Sequence, residues 1–256
     1  FFKQKTAYEI YQCDWSSDVC SSDLGIILLL NQRPRSTYQA TFWMSGIVLL
    51  FALVGLKTSA NLNTVAGAYC GFTCALLVWA WQEIGFLLGY VTGSRRTACP
   101  PECRGLRKAL YAFQTIAHHE LALIVLGLAV AIATWGGSNL VGLWTFIILW
   151  AMRQSAKLNV FLGVLNLNEK FLPVHLKYMH SYFTKRAMNP LLPISILLAC
   201  LVALPLWQQA FSFQGSPYQI ASATILATLL SLAILEHLMM VIPISIDGLW
   251  KWGLRS

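Results

Sequence analysis

Six windows of this chain, roughly residues 40–56, 64–90, 106–134, 139–165, 190–207 and 217–246, are long and apolar enough to cross a bilayer. A hydrocarbon core takes about 20 mostly apolar residues per helix. With no water there to satisfy peptide groups, each segment must close its own hydrogen bonds, which makes helices the expected form. Leu24 to Leu30 read as the stump of one more span. The expected fold is therefore all-α: a polytopic transmembrane helix bundle of six complete spans plus the remnant of a truncated N-terminal seventh. Only 11% of the residues are charged and 57% are hydrophobic. Soluble domains carry about a quarter charged residues, so soluble enzymes, disordered chains, coiled coils and disulfide scaffolds are excluded.

Residues 1–24, FFKQKTAYEIYQCDWSSDVCSSDL, stand apart, with Glu9, Asp14, Asp18 and Asp23, two lysines, two cysteines and no apolar run. They resemble translated sequencing-adapter read-through; a genuine polar extramembrane tail is the alternative. The abrupt change at Gly25 to GIILLL reads as a splice into mid-helix, so the natural N-terminus is expected to be missing. Residues 25–256 are expected to form one transmembrane helical domain.

The net charge of +8 rises to +10 without the tail. In a soluble protein that excess would raise nucleic acid as a partner; here its placement gives another account, and no nucleic-acid partner is expected. Arg33, Arg35, Arg95, Arg96, Arg104, Arg107, Lys108, Lys170, Lys177, Lys185, Arg186, Lys251 and Arg255 all fall in connecting segments of one side, whereas Lys57 stands alone on the other. Basic loops are retained in the cytoplasm during insertion. The charged side, and with it the C-terminus, is therefore expected to be cytoplasmic.

Pro190, Pro193, Pro205 and Pro243 are expected at helix ends or where neighbours take up freed backbone groups. Trp135, Trp207, Trp250 and Trp252 read as interfacial anchors. Cys99 and Cys103 flank a Pro-Pro-Glu turn in a basic loop; two thiols are half of a zinc site, and reduced cysteines are the ordinary reading. Ser155 and Ser195 have no recognisable base at local spacing and read as packing residues. Residues 166–189 mix aromatic and basic side chains, which suits a short amphipathic interfacial helix, either a subunit-docking surface or a lipid-facing connector.

The chemistry-bearing residues are those where lipid should be. Glu83, His118, His119, Glu120, Arg153, Lys157, Glu236 and His237 lie inside predicted spans, where a charge costs about 2.5–3.5 kcal/mol and is a functional candidate by default. All lie in the charged half or near mid-span, so they are expected to meet, together with Asn159, in one polar network. Arg153 and Lys157 share a helix face at i,i+4, and Glu83 or Glu120 is the natural partner of Arg153. In the plainest reading the network is glue between helices, with Lys157 snorkelling to the interface. Three carboxylates against two fixed cations leave a surplus for a proton, a histidinium, an ion or a cofactor.

A metal site would draw on Glu120, Glu236, His119 and His237. Chelating helices present ligands at i,i+3 or i,i+4, however, whereas His118, His119 and Glu120 are consecutive and sweep about 200°, so one residue would have to come from each helix. A neutral imidazole of His118, His119 or His237 could instead ligate the magnesium of a chlorophyll-type pigment.

The runs AGAYCGFTCALLVWAWQEIGFLLGYVTGSRR, HHELAL, GLWTFIILWAMRQSAKLNVFLGVLNLNEKFLPVHLKYMHSYF, ATLLSLAILEH and LWKWGLRS resemble, in order and over residues 25–256, the PuhE family, photosynthetic complex assembly protein 2. Glu83, His119, Glu120, Arg153, Lys157, Asn159, Asn166, Asn168, Glu169, Glu236 and His237 match the family pattern. The resemblance implies a multi-pass protein of the bacterial inner, photosynthetic membrane that assists assembly of the reaction centre and light-harvesting complex. Lipids and reaction-centre or light-harvesting subunits are the implied partners, and bacteriochlorophyll handling is within scope. It implies no catalytic mechanism. The alternative is a membrane-embedded metal-dependent enzyme acting on a pigment precursor, lipid or quinone. A transporter would use the same carboxylates as proton carriers, but the expected repeat symmetry is not evident.

Overall fold

The computed structural model describes residues 35–167, 174–212 and 214–242. The adapter-like tail, the stump at Leu24–Leu30, part of the 166–189 loop with Asn168 and Glu169, Pro243 and the C-terminal Trp250, Lys251, Trp252 and Arg255 lie outside them.

Among the described residues there are six α-helices: α1 (Tyr38–Ser59), α2 (Val65–Leu87), α3 (Gly105–Ala133), α4 (Val141–Leu162), α5 (Leu191–Ala210) and α6 (Pro217–Met239). Two 3-10 segments, Arg35–Thr37 and Val174–Tyr182, complete the fold. Local chemistry marks the starts. Thr64 leaves the helical region and its hydroxyl accepts from the Gly67 amide at 3.0 Å. Ser216 and Gln219 form a reciprocal capping box with Pro217 in the first turn, which satisfies two amides that otherwise lack partners. Pro205 falls inside α5.

Five helices are long and apolar enough to cross a membrane, and α4 is not among them. The expectation of six complete spans of equal kind is corrected accordingly. The cause is its last three turns, which carry Arg153, Gln154, Ser155, Lys157 and Asn159. These residues are tolerable only in the interior of the bundle, and α4 sits there: α2, α4 and α6 pack on one another, α1 lies along α2, α5 along α6, and α3 touches α1, α2 and α4.

Lipid is as apolar as a leucine side chain, so close backbone approach has to replace the hydrophobic effect between helices. Gly71 of α2 and Gly142 of α4 supply it. A Cβ on Gly142 would stand 2.3 Å from Leu56 and 2.9 Å from the Gly71 carbonyl. Ala68, Ala75, Val78, Leu123, Val130, Ala227 and Ala233 are fully buried. Outer faces carry the large apolar side chains, among them Trp43, Phe51 and Leu201.

Each end of the bundle is tied differently. At the end with few charges, Asn139 joins four helices. Its side-chain amide donates to the carbonyls of Ser59 and Gly67, its backbone amide donates to Ala60, and its side-chain oxygen accepts from the Val141 amide and the Tyr218 hydroxyl. Trp135 is exposed just past α3, as an interfacial anchor would be. Trp207 instead donates its indole N–H to Ser231 at 3.0 Å and stacks on Phe211.

At the opposite end the loops 88–104 and 163–190 close over each other. Arg95 donates to the Tyr182 hydroxyl at 2.7 Å and covers the Tyr111 ring, the Cys99 amide donates to Ser181 at 2.7 Å, and Lys108 reaches Thr184 at 3.3 Å. The described basic residues of both loops thus share one end, with Lys57 at the other, as their spacing in the sequence requires. The Val174–Tyr182 segment buries Leu176, Met179 and Tyr182 at three-residue spacing, the period of a 3-10 helix. That corrects the expectation of an amphipathic interfacial helix or lipid-facing connector: its apolar side faces the protein. Burial and the neighbouring Cys103 thiol both raise the thiol pKa of Cys99.

Gly93 is the tightest point of this cap. The Thr92 carbonyl accepts from the His119 amide at 2.8 Å and the Arg95 amide donates to the Gln114 carbonyl at 3.2 Å, drawing the loop against the backbone of α3. A Cβ on Gly93 would lie 2.1 Å from the Gln114 carbonyl oxygen. Overpacking of this kind costs about 1–3 kcal/mol where flexible side chains can yield, and here the obstacle is backbone. Gly93→Ala is expected to lose at least that much stability in detergent, measured by thermal unfolding followed by circular dichroism. An unchanged midpoint would show that the loop does not dock on α3.

Candidate functional site

Around the last turns of α4, polar side chains leave the helix in every direction and between them meet four neighbouring helices. Arg153 faces α2, where its Nη2 lies 3.2 Å from Glu83 Oε2. Gln154 and Lys157 face α3 and reach the two oxygens of Glu120, each at 2.5 Å. Ser155 faces α6, with its hydroxyl 2.9 Å from His237 Nε2. Asn159 lies between Ser155 and Ser195 of α5, 3.4 Å from either hydroxyl.

The side chains of Glu83 and Arg153 are 3% and 9% exposed. A lone charge at such a site would have to be neutralised, because losing one partner of a buried pair costs about 3–5 kcal/mol. Of the two partners considered for Arg153, the fold selects Glu83. Lys157 does not snorkel: its ammonium turns inward to Glu120, closing the second pair. The third carboxylate, Glu236, is half-buried on α6.

The histidines divide into two kinds. His119 is buried beside Phe86, with ring centroids 4.7 Å apart. Gln82 Nε2 donates both to His119 Nδ1 at 2.8 Å and to the His119 carbonyl at 3.1 Å. A donor that also serves a carbonyl fixes the amide orientation, so Nδ1 accepts and the neutral ring carries its proton on Nε2. His237 is also buried. Its Nδ1 donates to the Ala233 carbonyl at 2.9 Å, which leaves Nε2 to accept from Ser155. Neither ring presents a free lone pair for a pigment magnesium. His118, next in sequence to His119, is exposed on the outer face of α3.

The metal set Glu120, Glu236, His119 and His237 is not gathered. Among the described residues no three of His, Cys, Asp and Glu converge to hold an ion. Glu120 is occupied by Gln154 and Lys157, and both ring nitrogens of His237 are engaged. Of the network expected from Glu83, Glu120, Arg153, Lys157, Asn159 and Glu236, the structure pairs Glu83 with Arg153 and Glu120 with Lys157 and sets Asn159 beside Ser155 and Ser195, with His119 and His237 on the flanks. It also recruits Gln82 and Gln154, which no local feature marks, and Ser155 and Ser195, which were expected only to pack. The available signal was density: Arg153, Gln154, Ser155, Lys157 and Asn159 are five polar residues in seven, so they point all round a helix instead of along one face.

Chemically this is a set of ion pairs and hydrogen bonds that leaves Gln82 Oε1, His119 Nε2 and Asn159 Oδ1 buried without a hydrogen-bond partner among the described residues. It fixes the rotation and depth of α4 against four neighbours.

The family model described as "Protein of unknown function (DUF3623)" matches residues 21–256. A protein of Rhodobacter capsulatus, described as an uncharacterized 30.4 kDa protein in the puhA 5′ region, is 37% identical over 209 residues, covering 82% of this chain and 76% of the relative. No solved structure matches the chain.

Glu83→Gln leaves the Arg153 charge buried and is expected to destabilise by about 3–5 kcal/mol. Combining it with Arg153→Met should recover much of that loss, since neutral isosteres avoid the desolvation cost. Lys57→Gln, exposed at the other end, should change stability by under about 0.5 kcal/mol. Unfolding in detergent compares the wild type and these variants with Arg153→Met alone, five proteins in all; additive effects of the α2 and α4 substitutions would show that the pair does not couple.

Proposed function

We propose, since this chain belongs to the DUF3623 family, that it is a non-catalytic assembly factor for the bacterial photosynthetic reaction centre and light-harvesting complex. The carrying observation is that the charges inside the bundle satisfy one another: Glu83 with Arg153 and Glu120 with Lys157. Such a network holds a scaffold and leaves its acids and bases committed to structure.

What remains for work is the outside. α1, α3 and α5 bury little of their apolar length within the protein and present broad apolar faces to the membrane, suited to packing against the helices of other subunits. The position of the R. capsulatus relative in the puhA 5′ region agrees with the resemblance to a family associated with reaction-centre genes. What weighs against the metal-dependent enzyme reading is that no three of its donors converge among the described residues. The basic end is assigned to the cytoplasm of the inner, photosynthetic membrane by the positive-inside rule.

Affinity capture of the tagged chain from mild-detergent extracts of phototrophic membranes is expected to recover reaction-centre or light-harvesting subunits. Capture of neither, from membranes that contain the folded chain, would sink the reading. Alkaline phosphatase fused in the α1–α2 loop should be active, and fused in the loop after α2 inactive; the reverse pattern would overturn the orientation.

A further inference from the structure

We infer that His118 is an axial ligand, presented on the membrane face of α3, for the metal of a planar tetrapyrrole. This rests on the assembly reading above and adds a ligand to it.

His118 lies ten residues beyond Lys108, about 15 Å along the helix from the basic end, and so well inside hydrocarbon. Histidines at such depth almost always turn into the bundle, as His119 and His237 do. His118 turns outward. Its ring makes no hydrogen bond, ion pair or ring contact among the described residues, and the exposed apolar side chains Leu121 and Val125 follow on the same helix face, three and seven residues on. Hydrocarbon offers an imidazole no partner, and an unmet polar group in an apolar medium costs several kcal/mol. The occupant of this face must therefore be mostly apolar and still bring one group that an imidazole can satisfy.

A bare metal ion does not fit, because it needs several protein donors and this face supplies a single imidazole. A metallotetrapyrrole brings four in-plane nitrogens of its own and lacks an axial ligand. The imidazole nitrogen gives its lone pair to that position, and no other bond need form or break. Ala122, one turn further on, leaves room beside the ring for a macrocycle edge. Gln114, one turn back and exposed, brings an amide donor within a turn of the ring, suited to a peripheral carbonyl. His119 cannot substitute: it is buried, and its Nδ1 is held by Gln82.

The test uses the full chain, purified in mild detergent from a host that makes no chlorin. It is titrated separately with a magnesium chlorin, the same chlorin without metal, and haem. The expected result is about one macrocycle per chain for at least one metal-bearing arm, with absorption and resonance Raman signatures of a single axial nitrogen ligand. Binding should be at least tenfold weaker for the metal-free ring and for His118→Leu; the arm that binds identifies the macrocycle. Leu121→Trp, which keeps the imidazole but crowds its approach, should weaken binding as well. Circular dichroism and gel filtration establish that each variant is folded. Equal binding by His118→Leu, equal binding of the metal-free ring, or no binding by folded wild type overturns the inference. Loss of subunit capture by His118→Leu without macrocycle binding in any arm overturns it too, in favour of a protein ligand. Wild type that binds the macrocycle but captures no subunit refutes the assembly reading alone, so the two failures are distinguishable.

Discussion

The bundle depends on an electrostatic exchange made where α4 passes between its neighbours. This helix carries a guanidinium and an ammonium four residues apart, and in hydrocarbon neither is tolerable alone. Glu83 of α2 and Glu120 of α3 remove the difficulty by supplying one counter-charge each from separate helices. Because the two anions approach from different directions, the pairs fix rotation as well as depth. A helix held only by aliphatic contacts in lipid could slide or turn at little cost, since lipid is as good a neighbour as leucine. One held by two divergent ion pairs cannot.

Other constraints follow from that placement. Gln154 saturates the remaining oxygen of Glu120, Ser155 reaches His237 on α6, and Asn159 bridges to Ser195 on α5. Buried polar groups must find partners, so each polar residue on α4 specifies which helix stands opposite it. The glycine contact between Gly71 and Gly142 then lets α2 and α4 approach closely in the other half of the membrane. One half of the interface is set by charge and the other by size.

The two ends differ for the same reason. The sparsely charged end has short connections and is gathered by a single asparagine. The basic end has long connections that would expose much backbone, and these fold down as a cap, with Gly93 against α3 and Leu176, Met179 and Tyr182 turned inward. A bundle held in this way, with two of its ion pairs inside, leaves its outer faces open to other helices, as the proposed assembly reading requires.

The helices, the gathering of the basic loops at one end and the set of intramembrane polar residues were legible because each follows from chain-local physics: helix length against bilayer thickness, the alternation of successive connections between the two ends, and the cost of an ion in lipid. The contacts among those residues were not. Whether Arg153 takes Glu83 or Glu120, whether Lys157 turns inward, and which of two adjacent histidines faces lipid depend on helix rotation and crossing. Adjacent positions differ by about 100° on a helix, so His118 and His119 are alike in sequence and opposite in environment. Gln82, Ser155 and Gly93 carry no local mark at all, because their roles exist only across helices that the chain brings together later. Sequence determined which groups must be hidden from hydrocarbon; only the tertiary structure decided behind which neighbour each one hides.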